Sequence, residues 1–375
     1  MRWSPFSADQ QCDPRRTLDH LRKQCPLVQS PQGITLLKHA DILAAASDPQ
    51  LFSSATSEFR AIPNTLDPPE HAHYRQLIDS YFLPHQLQSL EPRIRKIATD
   101  LVRSLPHNTT LDAITHIGIP FAVSAQTEWL GWKGIEAELI AWMARNHAAT
   151  HSQNRQQKAD VAAEFDALVL TQVKKRQLRG DTSTTDPTTY LLSAQINGKP
   201  LSDTEIVSIL RNWTAGDLSS MAAALGVICH FLATHPEIQQ TLREGTDPAS
   251  AIDEMLRIDD PFLHNRRITT SATLISGHEI PQRTRIYLNW TSANRDEAVF
   301  GDPDDYQPEK NAAHNLVYGS GIHLCPGRPL ATLELVIAMQ TLLNHTQHIT
   351  LSKNKKSTRA SYPLGGWSQL FIELN

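Results

Sequence analysis

The sequence predicts a mainly α fold, a helical bundle around one long central helix with a minor β-region beside it. Three observations carry this reading. From Pro68 to Arg257 apolar residues recur with helical periodicity, broken by Pro and Gly clusters where helices would end. A single helix signal starts at Ser202 and continues to Pro236. Strand-type residues come only later, as Ile268–Ile275 and Thr284–Trp290, with Ser276-Gly277-His278 between them as the turn of a hairpin.

The long helix opens with Ser202-Asp203-Thr204-Glu205, the spacing of a capping box. Ile209, Trp213, Leu218, Leu225 and Phe231 are not confined to one face, so this helix is expected to cross the interior. At about 1.5 Å per residue it would span roughly 45 Å. Ala215-Gly216 lies near its middle. A mid-helix Gly costs about 1 kcal/mol relative to Ala, so a reason is expected: small residues let a bulky group approach the backbone.

A chain of 375 residues that is 40% hydrophobic can enclose a cofactor within one domain, 1–375. Its formal charge of −4 supplies no general attraction to nucleic acid or an anionic membrane. Cys12, Cys25, Cys229 and Cys325 show no C-x-x-C pairing, which suits a reducing compartment. Met1–Phe6 runs into polar residues, and no stretch reads as a span of about 20 apolar residues, so a cytoplasmic protein without a membrane span is expected. The polar run from Gly180 to Pro187 reads as one surface loop.

Chemistry concentrates at Tyr318-Gly319-Ser320-Gly321-Ile322-His323-Leu324-Cys325-Pro326-Gly327. Gly319 and Gly321 permit a tight backbone path against a flat ligand, and Pro326 can open a helix whose core face is Leu330, Leu333, Val336, Ile337, Met339 and Leu342. A sulfur at a helix N-terminus faces free N–H groups and the positive dipole end, which favours the thiolate. A plain buried thiol and a His323/Cys325 zinc site are the alternatives, the latter without a second ligand pair.

This loop resembles the haem-binding signature of the cytochrome P450 family, Phe-x-x-Gly-x-His/Arg-x-Cys-x-Gly, with Tyr318 in place of Phe. The resemblance implies haem b (iron protoporphyrin IX) buried in the fold, with Cys325 as proximal iron ligand and His323 as a propionate partner. Glu254 and Arg257, at i,i+3 spacing, match the family's buried Glu-x-x-Arg pair, and Pro308-Glu309-Lys310 matches the segment that supplies its third member. Lys310 lacks the planar fork of the usual Arg. His71 and Arg75, at i,i+4 in Asp67–Arg75, match a second propionate contact, and Arg267 matches the strand arginine of the other propionate, with Arg266 as rival.

On the long helix the family carries Ala-Gly-x-Asp/Glu-Thr, whereas this chain reads Ala215-Gly216-Asp217-Leu218-Ser219. Ser219 can replace the Thr hydroxyl, but Leu218 holds the acid position, and Asp217 sits about 100° away around the helix. A relay through Ser219, Ser220 and water is one expectation, and substrate- or peroxide-assisted chemistry the other. The short Ser53–Leu66 segment suggests a wide mouth. By analogy, Phe59, Ile62, Ala215, Leu218, Phe262, Leu263 and Trp367 would line a pocket for a lipophilic molecule. The implied activity is a monooxygenase of secondary metabolism that uses O2 and electrons from ferredoxin and ferredoxin reductase. The alternatives are a peroxide-using, coupling or rearranging enzyme, or a haem-binding sensor or carrier.

Overall fold

A computed structural model describes residues 13–106, 108–152, 154–180 and 186–375. The N-terminal run, Cys12 and the centre of the polar loop at 181–185 lie outside the described residues. The principal helices are α1 (Pro14–Gln24), α2 (His39–Ser47), α3 (Glu70–Asp79), α4 (Glu91–Ser104), α5 (Ile119–Leu130), α6 (Glu136–His151), α7 (Arg155–Arg179), α8 (Asp203–Thr234), α9 (Pro248–Ile258) and α10 (Arg328–His345).

The long helix forms as its sequence requires. The Ser202 side chain accepts from Glu205 N–H and the Glu205 carboxylate accepts from Ser202 N–H, which closes the capping box at the start of α8. Ile209, Leu218, Leu225, Ile228 and Leu232 are fully buried, and α8 packs on α5, α7, α9 and α10. Among the described residues it is the one helix long and apolar enough to cross a bilayer, but most of that apolar stretch is buried inside the fold.

The β-region is a five-stranded sheet in the order β1-β2-β5-β4-β3, where β1 is Leu27–Ser30, β2 Gly33–Leu36, β3 Phe52–Ser53, β4 His264–Thr269 and β5 Arg285–Asn289. Antiparallel pairing sets Arg267 opposite Ile286. The single expected hairpin is in fact two nested ones. Thr273–Ile275 folds back on His278–Ile280 over a tight turn in which Ser276 and Gly277 both take positive φ (45° and 78°), and the longer pair β4/β5 forms outside it. The helix after the Cys325 loop also begins later than expected: Pro326 lies in the preceding turn, and Pro329 is the proline of the first turn of α10.

Candidate active site

Cys325 is held by a backbone turn in which its own N–H donates to the Tyr318 carbonyl at 2.9 Å. Gly319 and Gly321 take φ of 76° and 71°. At Gly321 a Cβ would lie 2.0 Å from the Ala46 carbonyl oxygen, so only glycine lets the loop press against the end of α2. Burial pushes the Cys325 thiol up, while the N–H groups of Gly327 and Arg328 at the mouth of α10 act the other way, as a helix N-terminus should. The negative charge of Asp217 also acts on this thiol, which puts the sulfur within electrostatic reach of the middle of the long helix.

Beside the sulfur lies a cluster of basic side chains. The His71 and His323 rings meet edge to face at 4.4 Å. His323 shares a hydrogen bond of 2.8 Å with Ser54 Oγ, and Arg75 donates to the Ile322 carbonyl at 3.0 Å. Arg267 is buried, and its guanidinium donates to the Arg266 carbonyl at 2.8 Å. Nε2 of His71 is buried without a partner. Burial, then the charges of Arg267, His71 and Arg75, push His323 down to about 3; burial and then Arg75 lower His71; burial lowers Arg267 to about 10. Of the nearby carboxylates, Asp79 pairs with Arg75, and Asp67 is already bonded to Ser53 Oγ and Ser54 N–H. With both imidazoles held neutral, what the cluster leaves open to an anionic group is the sparsely bonded Arg267 guanidinium and the unpartnered His71 Nε2.

On α8, Gly216 is exposed although it sits mid-way along a buried helix, and beyond its own helix a Cβ there would meet no atom within 4 Å. This open strip beside the backbone can receive a flat body. Ala215 and Ser219 are half-buried beside it. Ser220 bonds back to the Gly216 carbonyl, whereas the Ser219 hydroxyl has no partner among the described residues. Asp217 keeps an accessible face although burial raises its carboxyl, as expected of a group lining an internal void. Leu218 is fully buried and offers no surface to a ligand, contrary to its expected place in the pocket.

The remaining expected pocket residues divide. Phe59 and Phe262 are exposed, with Arg211 stacked 3.9 Å over Phe59, and Phe262 bridges to Leu364. Ile62 is buried, and its N–H and carbonyl are tied to Ser208 Oγ (2.9 Å) and Asn212 Nδ2 (2.6 Å) of α8. The short Ser53–Leu66 segment is thus fastened to the long helix, so its length does not imply a loose mouth. Leu263 is buried against Gly365. Trp367 packs on His230 at 4.4 Å with Arg359 at 4.0 Å over its ring. His230 follows Ser219 by roughly 16 Å of helix rise, so Trp367 braces the fold away from the site.

Behind the loop, Glu254 and Arg257 form a buried ion pair at 2.8 Å. The expected third member is displaced by one residue: Lys310 is exposed, and Asn311 Nδ2 donates to Glu254 at 2.7 Å, joined by Gln307 N–H at 2.9 Å. A neutral amide suffices because Arg257 is already bound by the carbonyls of Asn294, Pro303 and Asp305. The Tyr318 hydroxyl lies near Thr332 but is buried without a hydrogen bond of good geometry.

Sequence reasoning missed Ser54, Asn311 and Glu334. Ser54 and Asn311 have no local signal, since each is defined by a contact across hundreds or tens of residues. Glu334 does leave a trace, an acid inside the apolar periodicity of α10.

The comparisons agree with this geometry. A family profile described as Cytochrome P450 matches residues 249–366. Cyclomarin C epoxidase of Salinispora arenicola is 28% identical, over 85% of this chain and 84% of its own. Erythromycin C-12 hydroxylase of Saccharopolyspora erythraea is 28% identical, over 91% of this chain and 89% of its own. The ligand-free structure of cytochrome P450 TbtJ1 superposes with a TM-score of 0.88 at 26% identity, covering 96% of this chain and 97% of its own. With the cluster of basic side chains, the sulfur at a helix mouth and the open strip on α8, these matches lead to one conclusion: the chain belongs to the cytochrome P450 family, the haem-thiolate monooxygenases.

Proposed function

We propose that Cys325 is the sulfur ligand of the haem iron, and that the enzyme oxidises a lipophilic small molecule of secondary metabolism. The observation that carries the reading is a cysteine at a helix mouth, within electrostatic reach of an open strip of a buried helix and flanked by a buried arginine and an imidazole whose donors the protein leaves unused. His71, Arg75, Arg267 and His323 would hold the haem carboxylates, and Ala215 and Gly216 would let the ring approach α8. When bound, the haem supplies reductive activation of O2.

The chain's own residues then orient and protonate. The exposed Phe59 and Phe262 would present apolar surface at the mouth, and the half-buried Ser219 hydroxyl would donate on the α8 side. Relatives named as an epoxidase of cyclomarin C and a hydroxylase of erythromycin support a bulky lipophilic substrate. Electrons would come from NAD(P)H through ferredoxin reductase and a ferredoxin docking on the Cys325 side, in the cytoplasm. Leu218, a buried hydrocarbon where the family carries an acid, favours a second reading in which peroxide replaces O2 and the donor.

Absorption titration with terpenoids, macrolides, aromatics, fatty acids and carrier-bound acyl groups tests the substrate class. A low-to-high-spin shift with a lipophilic class is expected, and haem that responds to none of them contradicts that assignment. Turnover with peroxide, but none with donor proteins and O2, would establish the second reading.

A further inference from the structure

Away from the Cys325 site, α4, α5, α7 and the short helix Pro187–Ser193 border a second cavity of about 640 Å3, a volume that suits a small molecule. None of Cys325, His71, Arg267 or Gly216 lines it. Its wall includes Tyr81, Trp129 and Gln172, which are 9%, 7% and 7% exposed. The Tyr81 hydroxyl, the Trp129 indole N–H and the Gln172 amide have no hydrogen-bond partner among the described residues, and none of these polar atoms is sealed from solvent. Polar groups on buried side chains are nearly always bonded, so three unused ones on one wall suit a ligand that brings acceptors. Burial and then Tyr190 raise Tyr81 to about 12, so its hydroxyl stays a donor at neutral pH.

Charge narrows the ligand further. Arg93, Lys133, Lys175 and Arg176 line the cavity against two acids, Glu128 and Asp186. Glu128 is shared between Arg93 at 2.8 Å and Lys133 at 2.9 Å. Asp186 lies 3.5 Å from Arg176 and is also engaged by Thr189 N–H. Lys174 pairs with Asp203, whereas its neighbour Lys175 has no ion pair among the described residues. Four cations thus face two acids, and the excess favours an anion. The Tyr81 and Tyr190 rings, 6.4 Å apart, and the Trp129 ring add aromatic faces for a flat body.

We propose that this cavity is a second ligand site, distinct from the haem pocket, for a small aromatic oxyanion: a carboxylate, sulfonate or phosphate carried on a flat ring. Its ring would lie against Tyr81, Trp129 and Tyr190, its charge toward Lys175, and its acceptors on the unused donors of the wall. The site does not depend on the oxygenase reading, because it shares no residue with the Cys325 site.

The test is isothermal titration of the full-length, haem-loaded protein with phenyl phosphate, with and without 4-phenylimidazole to occupy the haem pocket. Saturable binding is expected in both cases. It should weaken about tenfold in Lys175→Glu, an exposed position where folding is not at risk, and several-fold in Gln172→Leu. Inorganic phosphate, which lacks the ring, and benzyl alcohol, which lacks the charge, should each bind at least about tenfold more weakly than phenyl phosphate. No binding to the wild type, or equal binding to Lys175→Glu, would overturn the proposal. So would inorganic phosphate or benzyl alcohol matching phenyl phosphate, or binding that 4-phenylimidazole abolishes.

Discussion

Arg257 and Arg267 lie ten residues apart and are both buried, yet their surroundings are opposite. The Arg257 guanidinium makes five hydrogen bonds, two to Glu254 and one each to the carbonyls of Asn294, Pro303 and Asp305. That of Arg267 makes one, to its neighbour's carbonyl, and burial lowers its pKa to about 10. A buried cation is costly unless it is paired and bonded. Arg257 meets that requirement within the protein and is a fixture of the fold. Arg267, with only the charge of Asp67 nearby and one hydrogen bond, leaves it partly open, and together with the unpartnered His71 Nε2 offers unused donors to an anionic ligand.

The contrast can be broken by substitution. Arg257→Ala leaves Glu254 as an uncompensated buried charge and should destabilise the protein by about 3–5 kcal/mol, read by denaturant unfolding. Asn311→Ala removes one donor to the same carboxylate and should cost about 1–3 kcal/mol, whereas Lys310→Ala, at an exposed position, should stay within about 0.5 kcal/mol. An equal effect at 310 and 311 would return the third position to the lysine. Arg267→Ala should leave the unfolding of the haem-free protein unchanged or slightly raised while weakening haem retention roughly tenfold, measured by transfer to an acceptor protein. Loss of haem-free stability at Arg267 as large as that at Arg257 would erase the distinction.

A pH dependence sharpens it further. Burial raises the carboxyls of Asp217 and Glu334, so ionising them opposes folding: their contribution is fully present below the ordinary carboxylate range and lost as pH rises through the raised values. Glu334→Gln removes one such group. Its stability relative to wild type should therefore climb from about pH 4 upward, and a constant difference across that range would show that Glu334 does not titrate in the folded protein as its burial requires.

What the sequence disclosed follows the same division between local and distant causes. The capping box at Ser202, the apolar periodicity of α8 and the glycines around Cys325 act over a few residues, so they are legible in one dimension. So is the i,i+3 pair Glu254/Arg257. The partner that completes that pair is not, because Lys310 and Asn311 are adjacent and only the path of the chain decides which one turns inward. Pocket residues were the least legible. Ile62, Leu218 and Leu263 are apolar in sequence whether they face a ligand or the core, and here they face the core. Trp367 was misplaced for a related reason: an aromatic ring near the C-terminal turn can serve a ligand or, as here, a His–Trp–Arg stack. The nested hairpin escaped because strand alternation shows where strands lie and not which turn closes which pair.

On the proposed reading the Cys325 sulfur holds the haem iron while His71, Arg75, Arg267 and His323 hold the haem carboxylates. The most direct measurement is the absorption spectrum of the reduced, carbon monoxide-bound protein, wild type against Cys325→Ser. A thiolate-type spectrum is expected in the wild type and its loss in the variant, with some haem still retained by His71, Arg75, Arg267 and His323. A thiolate-type spectrum that survives the substitution, or a wild type that never shows one, would contradict it.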